Sequence, residues 1–592
     1  MDHGRTDLPP DAPLTDALLP GNLSASHALI AELASSVQAL QGCREQLTQE
    51  NEELKLTINK LLIRLRGNRS ERMVDDPNQQ QLDFGNDPAA QDALADAAAE
   101  AERIVQEYTV RRTHKPKKPR HEQLPAHLPR YEVELPVPEP VKNCPTHGPR
   151  TRIGEDRLET LEFERPKLRV RVTIVPKFAC AQAPGCGVQE PPRPAGLVEG
   201  NRYDTSVAAE VLTAKYGYHL PIYRQQDWFA GSGWIATRST LLNIAAAAAA
   251  VLQPLYEYLR SLVLQSPVIG TDETSVTLIL PPAIPAVNAE DPRSPRIHEV
   301  FTKAREEERG SVSARMWAYR AVEMPLNVFD FTVSRHRDGP DEFLKHYTGK
   351  LMADCYTGYQ GIVLRSDARI QRGACWSHAR RKVFDGRSSH PVESSVLFAM
   401  IRELYDIEDR AKDMTPDNRR ELREGEARPV LDRIKAWLAS DVAQRVLPKS
   451  IFFEALRYQR NHWDALTLYL TDGRMPIDNN DVEQLMKQVA LGRKNWLFIG
   501  SVAAGLRAAT ILTLVSTAHR NDLDVWAYLK DVLDRLLAGS TDYHALRADV
   551  WKQTHPEQVR TYRAEARRER RDTTRFRRAR RRLLEKVDKR PR

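Results

Sequence analysis

The chain has no long hydrophobic run. Its longest uninterrupted apolar stretch is Ile244–Leu252, well short of the ~18–20 residues that a membrane span needs. The N-terminal segment MDHGRTDLPPDAPL also lacks the charged-then-apolar layout of a secretion signal. The sequence therefore predicts a cytoplasmic protein without a membrane partner.

Cysteine is scarce, with 6 residues among 592. So few cysteines in so long a chain do not make a disulfide framework. Cys43, Cys355 and Cys375 stand alone in apolar or helical surroundings, which predicts buried free thiols. A chain of this length predicts about three to four domains.

The other three cysteines form a group with one histidine. CPTH and CAQAPGC supply Cys144, His147, Cys180 and Cys186, a possible tetrahedral set for a structural Zn²⁺ ion. The alternative is a small β-module in the same segment that folds without metal.

The body of the chain lacks basic charge. Residues 560–592 hold 16 Lys or Arg against 5 Asp or Glu, a net charge of +11 that exceeds the +8 of the whole chain, so the remaining residues are net −3. The net charge therefore argues for DNA binding by this tail and not by the body of the chain as a whole. A solvated helix or a disordered tail is the alternative interpretation.

A heptad repeat follows the Pro- and Asp-rich N-terminus. Leucine recurs every seven residues, at Leu33, Leu40, Leu47, Leu54 and Leu61. The position three residues earlier is mostly β-branched, with a polar Asn51 that would fix register and dimeric state. The pattern predicts a parallel coiled-coil homodimer, and a single amphipathic helix packed on its own core is the alternative.

The fold class is therefore multidomain, α and α/β. The predicted segments are a disordered N-terminus (1–24), a coiled coil (25–68), a linker (69–129), a zinc-type module (130–195), a helical region compatible with a helix-turn-helix (200–264), an α/β core (265–505) with a helical insertion (about 390–475), a helical region (506–545) and a basic tail (546–592).

Within the core, three acidic residues occupy recognisable contexts. Asp272 in GTDETSV and Asp354 in DCYTGYQG each follow a short apolar run that predicts a buried strand, Asp272 at the strand's end. Glu483 in DNNDVEQL begins an amphipathic helix. Residues 268–280, 314–322 and 327–335 predict three strands rich in β-branched and aromatic residues, 341–350 a helix, 351–356 a fourth strand, and 370–378 a fifth strand that leads into a helix.

These sequence motifs, together with GACWSHARRKVFDG and ALGRKNWLFIGS, resemble those of the transposases of the insertion sequence 66 family. The resemblance implies an RNase-H-like catalytic core with an acidic triad of Asp272, Asp354 and Glu483. Such a triad holds two Mg²⁺ (or Mn²⁺) ions, Asp272 bridging both, for phosphoryl transfer on DNA. Family members carry a small zinc module of two Cys-x₂-Cys knuckles, from which this chain departs at His147 and in its wider second loop.

Each acid has competitors nearby. Glu273 should face the opposite side of its strand, and Asp478 or Asp481 could replace Glu483, with Asp478 also a candidate helix cap. Basic residues that could hold DNA phosphates follow the fifth strand and the glutamate helix: His378, Arg380, Arg381, Lys382, Arg493 and Lys494. The alternative is a solvated basic face with Trp376 and Trp496 in the core.

The sequence thus predicts a bacterial insertion-sequence transposase that cuts at the element's ends and joins them to target DNA. Alternatives are an RNase-H-fold nuclease without strand transfer and a catalytically silent DNA-binding accessory protein. Small accessory proteins encoded beside family members are possible further partners.

Overall fold

The structure is a computed structural model. It describes residues 203–355 and 357–587 continuously and, before them, 35, 41–42, 102–107, 132, 143–144, 148–149, 168–175, 177–179, 188–189 and 195–197. The predicted dimer positions Leu33, Leu40, Leu47, Asn51, Leu54 and Leu61, and the zinc candidates His147, Cys180 and Cys186, lie outside the described residues.

The chain divides into two compact units. The sheet unit comprises Asp83–Leu351, Thr357–Gln371 and Asn480–Arg592. The helical unit comprises Met352–Tyr356 and Arg372–Asn479, together with Met1–Leu82. Each is described by itself below.

The described strands are short at the N-terminal end and longer in the core. They are β1 Asn143–Cys144, β2 Gly148–Pro149, β3 Phe178–Ala179, β4 Val188–Gln189, β5 Val268–Ile279, β6 Ser311–Ala321, β7 Asn327–Thr332, β8 Gly349–Ala353 and β9 Ile370–Ala374. The first four form two two-stranded antiparallel pairs, β1 with β2 and β3 with β4.

The helices follow in chain order. The first six are α1 Thr205–Leu212, α2 Ile222–Ala230, α3 Arg238–Leu264, α4 Ser294–Glu306, α5 Asp338–Phe343 and α6 Thr357–Arg365. The next seven are α7 Trp376–Gly386, α8 Pro391–Ala411, α9 Pro416–Leu422, α10 Arg428–Ala439, α11 Asp441–Gln444, α12 Ile451–Asn461 and α13 Trp463–Thr467. The last five are α14 Asn480–Trp496, α15 Val502–Arg520, α16 Val525–Leu537, α17 Ala548–Thr554 and α18 Thr561–Val587.

A five-stranded mixed sheet with the order β7-β6-β5-β8-β9 confirms the predicted α/β core. Strand β6 runs antiparallel to each of its two neighbours, β5 and β7. Their alternating β-branched and aromatic residues give each strand two buried faces, which is typical of a sheet covered by helices on both sides. All five strands predicted from sequence are present.

Helices cover both faces of β5, β6 and β7. On one face Phe331 lies against α15, where a Cβ on Gly505 would come within 2.4 Å of the Phe331 ring, so glycine permits this close approach. On the other face Tyr319 stacks on Phe343 of α5 at 3.7 Å between ring centroids. The core of the sheet unit therefore has three layers.

The helix predicted over 341–350 is shorter than expected. Helix α5 ends at Phe343, and Gly349 and Lys350 already belong to β8. The Lys350 backbone N–H donates to Pro267 O at 2.9 Å, and the Tyr347 hydroxyl donates to Lys350 O at 2.8 Å. These bonds draw the chain into the sheet beside the start of β5.

Two helices, α3 and α15, are long and apolar enough to cross a membrane by length and composition. Both pack against β7 and against each other. Burial within the sheet unit thus accounts for their apolar composition, including the run Ile244–Leu252.

The helical unit is built around α7, which packs on α8 and α12. Its centre holds a fully buried arginine, Arg423. The Arg423 guanidinium donates to both Glu408 carboxylate oxygens, at 2.7 and 2.8 Å, and to three backbone carbonyl oxygens. A charge-paired and fully hydrogen-bonded arginine can be held in a core at an acceptable desolvation cost. Between the second and third acidic motifs, the helices from Trp376 to Thr467 make this part of the described chain mostly helical.

Candidate active site and its surroundings

Asp272 lies in the middle of β5, the fifth residue of a strand of 12. The prediction that it ends the strand is wrong, because the β-branched run after Asp272 continues to pair with β6 as far as Ile279. Asp272 stands opposite Ala318, and Gly270 stands opposite Arg320. Directly opposed residues and residues two apart share a face, so Arg320 lies on the Asp272 face.

Glu273 occupies the other face, as strand alternation predicts. It stands opposite Trp317, and its carboxylate pairs with the Arg335 guanidinium at 2.5 Å. The Glu273 side chain is only 4% exposed. Glu273 therefore has a structural ion pair on the side of the sheet away from Asp272.

Helix α14 begins at Asn480, so the residue before it is Asn479 and not Asp478, which was the predicted alternative cap. Asp481, in its first turn, forms an ion pair with Arg320 at 2.8 Å. The Arg320 side chain is 15% exposed and that of Asp481 is 67% exposed. Burial lowers the pKa of Arg320, and the Asp481 carboxylate opposes that shift.

Glu483 is half-buried and also lies in the first turn of α14. The apolar face of the helix, at Val482, Leu485, Met486 and Val489, is buried, and α14 packs against β5 and β6. The ion pair between Asp481 and Arg320 thus fastens the turn that carries Glu483 to the sheet face that carries Asp272.

The other end of α14 is fastened to β5. The Arg493 guanidinium donates to Thr274 Oγ1 at 2.9 Å, to Ser275 O at 2.5 Å and to Ser275 Oγ at 3.1 Å. After the helix, Ile499 exchanges backbone hydrogen bonds with β5, donating to Thr277 O at 2.7 Å and accepting from Ile279 N at 2.9 Å. The motif ALGRKNWLFIGS therefore attaches α14 to β5, and Arg493 serves this attachment while Lys494 is exposed.

In the helical unit, Asp354 directly follows β8 and is half-buried. Burial raises the pKa of the neighbouring Cys355 thiol, which faces the Tyr458 hydroxyl. Lys382 Nζ lies 5.2 Å from the Tyr458 ring centroid, a cation–π contact. Lys382 thus belongs to a group of side chains that includes residues of α12.

That group borders a cavity of about 250 Å³. Its walls are formed by Lys382, Glu454, Arg457, Tyr458, Asn461 and His462. Burial, Arg372 and Lys382 together lower the pKa of His462. The surroundings are therefore positive and polar, which suits a phosphate group.

The remaining basic residues of α7 differ in their environment. Arg380 lies over the rings of Phe398 and Tyr405, at 5.6 and 5.3 Å from the guanidinium carbon, so it helps to pack α7 on α8. His378 is half-buried and Arg381 is exposed. Trp376 is fully buried and donates from Nε1 to Leu466 O at 2.8 Å. Trp376 is therefore a core residue, as the alternative interpretation of this segment predicts.

Asp478 and Asn479 are the last two residues of the helical unit. Burial, and then the Asp478 carboxylate, raise the pKa of the Tyr405 hydroxyl well above its usual value. The Asn479 backbone N–H donates to Cys375 Sγ at 3.2 Å. Neither Cys355 nor Cys375 forms a disulfide; Cys375 is buried, as predicted, whereas Cys355 is half-buried.

A larger cavity of about 640 Å³ lies at the β7 edge of the sheet unit, and none of the predicted site residues lines it. Three of its four arginines are paired with carboxylates, Arg293 with Asp330, Arg296 with Asp338 and Arg365 with Asp341, and Arg369 donates to backbone carbonyl oxygens. In the smaller cavity Arg457 is likewise paired, with Glu454 at 2.6 Å, so Lys382 is the cation that recommends that cavity as a phosphate site.

Comparison with known proteins is consistent with the resemblance seen in the motifs. A family model described as "Transposase IS66 family" matches residues 200–507, and a second, described as "Transposase C of IS166 homeodomain", matches residues 53–133. The chain belongs to the Transposase IS66 family. The second match covers the end of the predicted coiled coil and the predicted linker. Membership implies an enzyme that processes DNA as a transposase.

Three relatives from Sinorhizobium fredii match most of this family member. The uncharacterized protein y4jD is 31% identical over 512 residues, which cover 85% of this chain and 94% of the relative. The uncharacterized protein y4hP is 28% identical, covering 82% of this chain and 85% of the relative. The uncharacterized protein y4qI is also 28% identical, covering 90% and 95%.

Sequence reasoning missed Arg320, Tyr458 and His462. The strand ARMWAYRAV contains two arginines, and Arg320, the one between Tyr319 and Ala321, was a usable signal because a buried cation needs a partner. Tyr458 and His462 gave no signal, because nothing in a helical segment far along the chain indicates that it lies beside Lys382.

Proposed function

We propose that this family member cleaves DNA at the ends of an insertion sequence and joins the freed ends to target DNA, with Asp272, Asp354 and Glu483 as its catalytic carboxylates. Water would attack at the element boundary, and the released 3′-OH would then attack the target. In the first step a water oxygen replaces a 3′-oxygen at phosphorus, and in the second the freed 3′-oxygen replaces a 3′-oxygen of the target strand. Neither step needs an oxidant or a covalent protein–DNA intermediate.

The observation that carries the proposal is the attachment of α14 across the Asp272 face of β5. Arg320, opposite Gly270, holds the start of α14 through Asp481. Arg493 holds the end of α14 at Thr274. Gly270 and Thr274 flank Asp272 by two residues on either side, so the helix that carries Glu483 is fastened on both sides of Asp272.

The proposed ligands fit divalent metal ions of the Mg²⁺ type, whose preferred donors are hard carboxylate oxygens. When bound, two such ions would activate the attacking oxygen and stabilise the leaving oxygen. Asp272, Asp354 and Glu483 would hold them. The protein's own role is to hold these carboxylates in place on β5, after β8 and on α14, and to bind the flanking DNA phosphates.

The proposed phosphate-binding residues are Lys382, Arg457 and Tyr458 of the helical unit. Further candidates are His378 and Arg381 of the same unit and Lys494 of the sheet unit. Lys382 and Arg457 supply positive charge around the 250 Å³ cavity. The Tyr458 ring holds the Lys382 ammonium. Such contacts position a DNA backbone without reading its sequence.

The test is cleavage and joining of a labelled element-end duplex with Mg²⁺ by Asp272→Asn, Asp354→Asn and Glu483→Gln. Each variant should lose cleavage and retain DNA binding. Glu290→Gln, an exposed glutamate of the sheet unit, is the matched control and should cut normally. Wild-type cleavage without any joined product would favour a nuclease, and normal cleavage by any of the three variants would remove that residue from the triad.

The zinc module and the coiled coil belong to the same proposal. Cys144 lies in β1, and in the sequence His147 falls between β1 and β2, while Cys180 and Cys186 fall between β3 and β4. Each proposed pair of zinc ligands is thus associated with one two-stranded pair, an arrangement that suits a structural zinc ion. Dimerisation through the leucine heptads, DNA binding by α2 and α3, and the accessory partners rest on sequence alone.

A further inference from the structure

The arginine-rich tail forms a helix that the family match does not cover. Helix α18 extends from Thr561 to Val587. Between residues 561 and 580 it carries nine arginines and three acidic residues. Blocks of like charge usually stay unfolded because they repel, so a helix here needs both an attachment and a counter-charge.

The attachment is made by its first arginines. The segment between α15 and α16 presents Asp522 and Asp524. Arg567 of α18 binds both carboxylate oxygens of Asp522, one of them at 2.6 Å, and Arg560 just before the helix pairs with Asp524. The Arg560 backbone N–H also donates to Asp522 O at 2.7 Å. These contacts fix the start of α18 on the sheet unit.

Beyond this attachment, one side of α18 is covered and the other is exposed. Asp572, Thr573 and Phe576 are half-buried, and Ala579 is 2% exposed. At about 100° per residue these positions share one side of the helix. Five arginines are exposed: Arg568, Arg570, Arg571 and Arg577 lie outside this covered arc, and Arg580 lies within it, between the directions of Phe576 and Thr573.

These five arginines form no ion pair with the described part of the chain. Their charge is therefore left for a polyanion, and arginine forks match phosphate oxygens well. Residues 561–592 contain no Asn or Gln, the side chains that pair with adenine edges. The composition thus favours contact with the backbone over recognition of base sequence.

We propose that the exposed arginines of α18 (Arg568, Arg570, Arg571, Arg577 and Arg580) bind the phosphate backbone of duplex DNA without sequence preference. The choice of DNA as ligand rests on the proposed function. If all five arginines contact phosphates, the binding constant should fall with about the 4.5th power of salt concentration from this helix alone. That is about a 500-fold loss between about 50 and 200 mM KCl.

The experiment measures binding of a fluorescent ~30-base-pair duplex of random sequence across that salt range. The test protein is the full chain with Arg568→Gln, Arg571→Gln and Arg577→Gln together. Its salt exponent should be smaller by about 2.7, so that the same salt increase costs about 40-fold less affinity than in wild type. Its melting temperature should not change, because these side chains make no contact that holds the fold.

Two controls separate this role from others. Arg309→Gln, Arg420→Gln and Arg445→Gln together remove the same charge from exposed sites elsewhere, and should leave the salt exponent near the wild-type value. Arg567→Gln should lower the melting temperature, because it removes the bidentate contact with Asp522. An unchanged salt exponent in the α18 variant, or an equal change in the charge-matched control, would overturn the proposal.

A single-stranded RNA of equal charge, bound more tightly and with the same arginine dependence, would also overturn the assignment to duplex DNA. Binding is measured without divalent metal in the Glu483→Gln background, so failure of the catalytic assignment does not affect it. Conversely, if α18 contributes nothing, cleavage at saturating DNA still tests the catalytic proposal.

Discussion

Replacing Asp481 by Asn should weaken the affinity for the catalytic metal ions without removing the cleavage reaction. The isosteric amide can still accept a hydrogen bond from Arg320 but no longer compensates its charge. The first turn of α14, which carries Glu483, would then be held less firmly on the Asp272 face.

The magnitude follows from the two environments. Opposite charges about 4 Å apart near a protein surface interact by about 4 kcal/mol, whereas exposed pairs contribute about 0.2–1 kcal/mol after solvent screening. Here Arg320 is 15% and Asp481 67% exposed, so we expect a loss of about 1–2 kcal/mol in the attachment of this turn. Burial and the nearby Arg320 lower the pKa of Arg520 to about 9, which indicates a second poorly compensated cation and places the loss toward the upper value.

The assay is the cleavage rate as a function of Mg²⁺ concentration for wild type, Asp481→Asn, Asp481→Glu and Glu483→Gln. Residues that orient a metal ligand typically change metal affinity about 10–100-fold. Asp481→Asn should therefore raise the half-saturating Mg²⁺ about 10-fold or more, and high Mg²⁺ should restore most of the rate. Asp481→Glu keeps the charge and should recover part of the affinity.

Glu483→Gln should stay inactive at every Mg²⁺ concentration. If Asp481→Asn is equally inactive at saturating Mg²⁺, Asp481 is a ligand and the assignment of Glu483 is wrong. If its Mg²⁺ dependence equals that of wild type, the pair with Arg320 does not position Glu483.

Three further predictions concern stability and assembly. His519 lies 3.3 Å from Arg563, and its pKa is lowered to about 4, chiefly by burial. Between about pH 6.5 and 4 the unfolded chain therefore binds a proton that the folded chain does not, so the free energy of unfolding should fall by up to about 3 kcal/mol as the pH drops through that range. His519→Gln should flatten this decline in urea titrations. Full-length protein should contain one zinc per chain by elemental analysis, and Cys144→Ser should lose it together with several degrees of melting temperature; wild type without zinc would favour the metal-free β-module. Light scattering should give a dimer that Leu40→Asp with Leu47→Asp converts to monomer, whereas a wild-type monomer would favour the self-packed helix.

The strands of the core could be predicted because their residues decide them locally. ARMWAYRAV and NVFDFTVSR are rich in aromatic and β-branched residues, and this composition is sufficient for a strand in a covered sheet. The extent of β5 could be predicted in the same way, because residues 268–280 have the same composition and β5 ends at Ile279. The place of Asp272 within the strand could not, because it depends on how far the pairing with β6 continues beyond Asp272.

The roles of the basic residues were harder to predict than their positions. Arg380 and Arg493 look alike in sequence, as cations in a motif, yet Arg380 lies on aromatic rings of α8 and Arg493 binds the β5 backbone. A guanidinium serves packing, attachment or phosphate binding equally well. Which of these it does depends on the neighbours that the tertiary fold supplies, and those are not encoded in the motif.

The same reasoning discriminates among the competing carboxylates. A metal ion at Asp481 would have to displace Arg320, whose side chain is 15% exposed and would then be a cation without its carboxylate partner. A metal ion at Glu273 would likewise take the carboxylate from Arg335. Separating a buried charge from its partner costs several kcal/mol, which a metal ion that keeps most of its own water does not readily offset. The arginine partners of Asp481 and Glu273 thus make these two acids poorer metal ligands, and the assignment of Asp272 and Glu483 rests on the family motif.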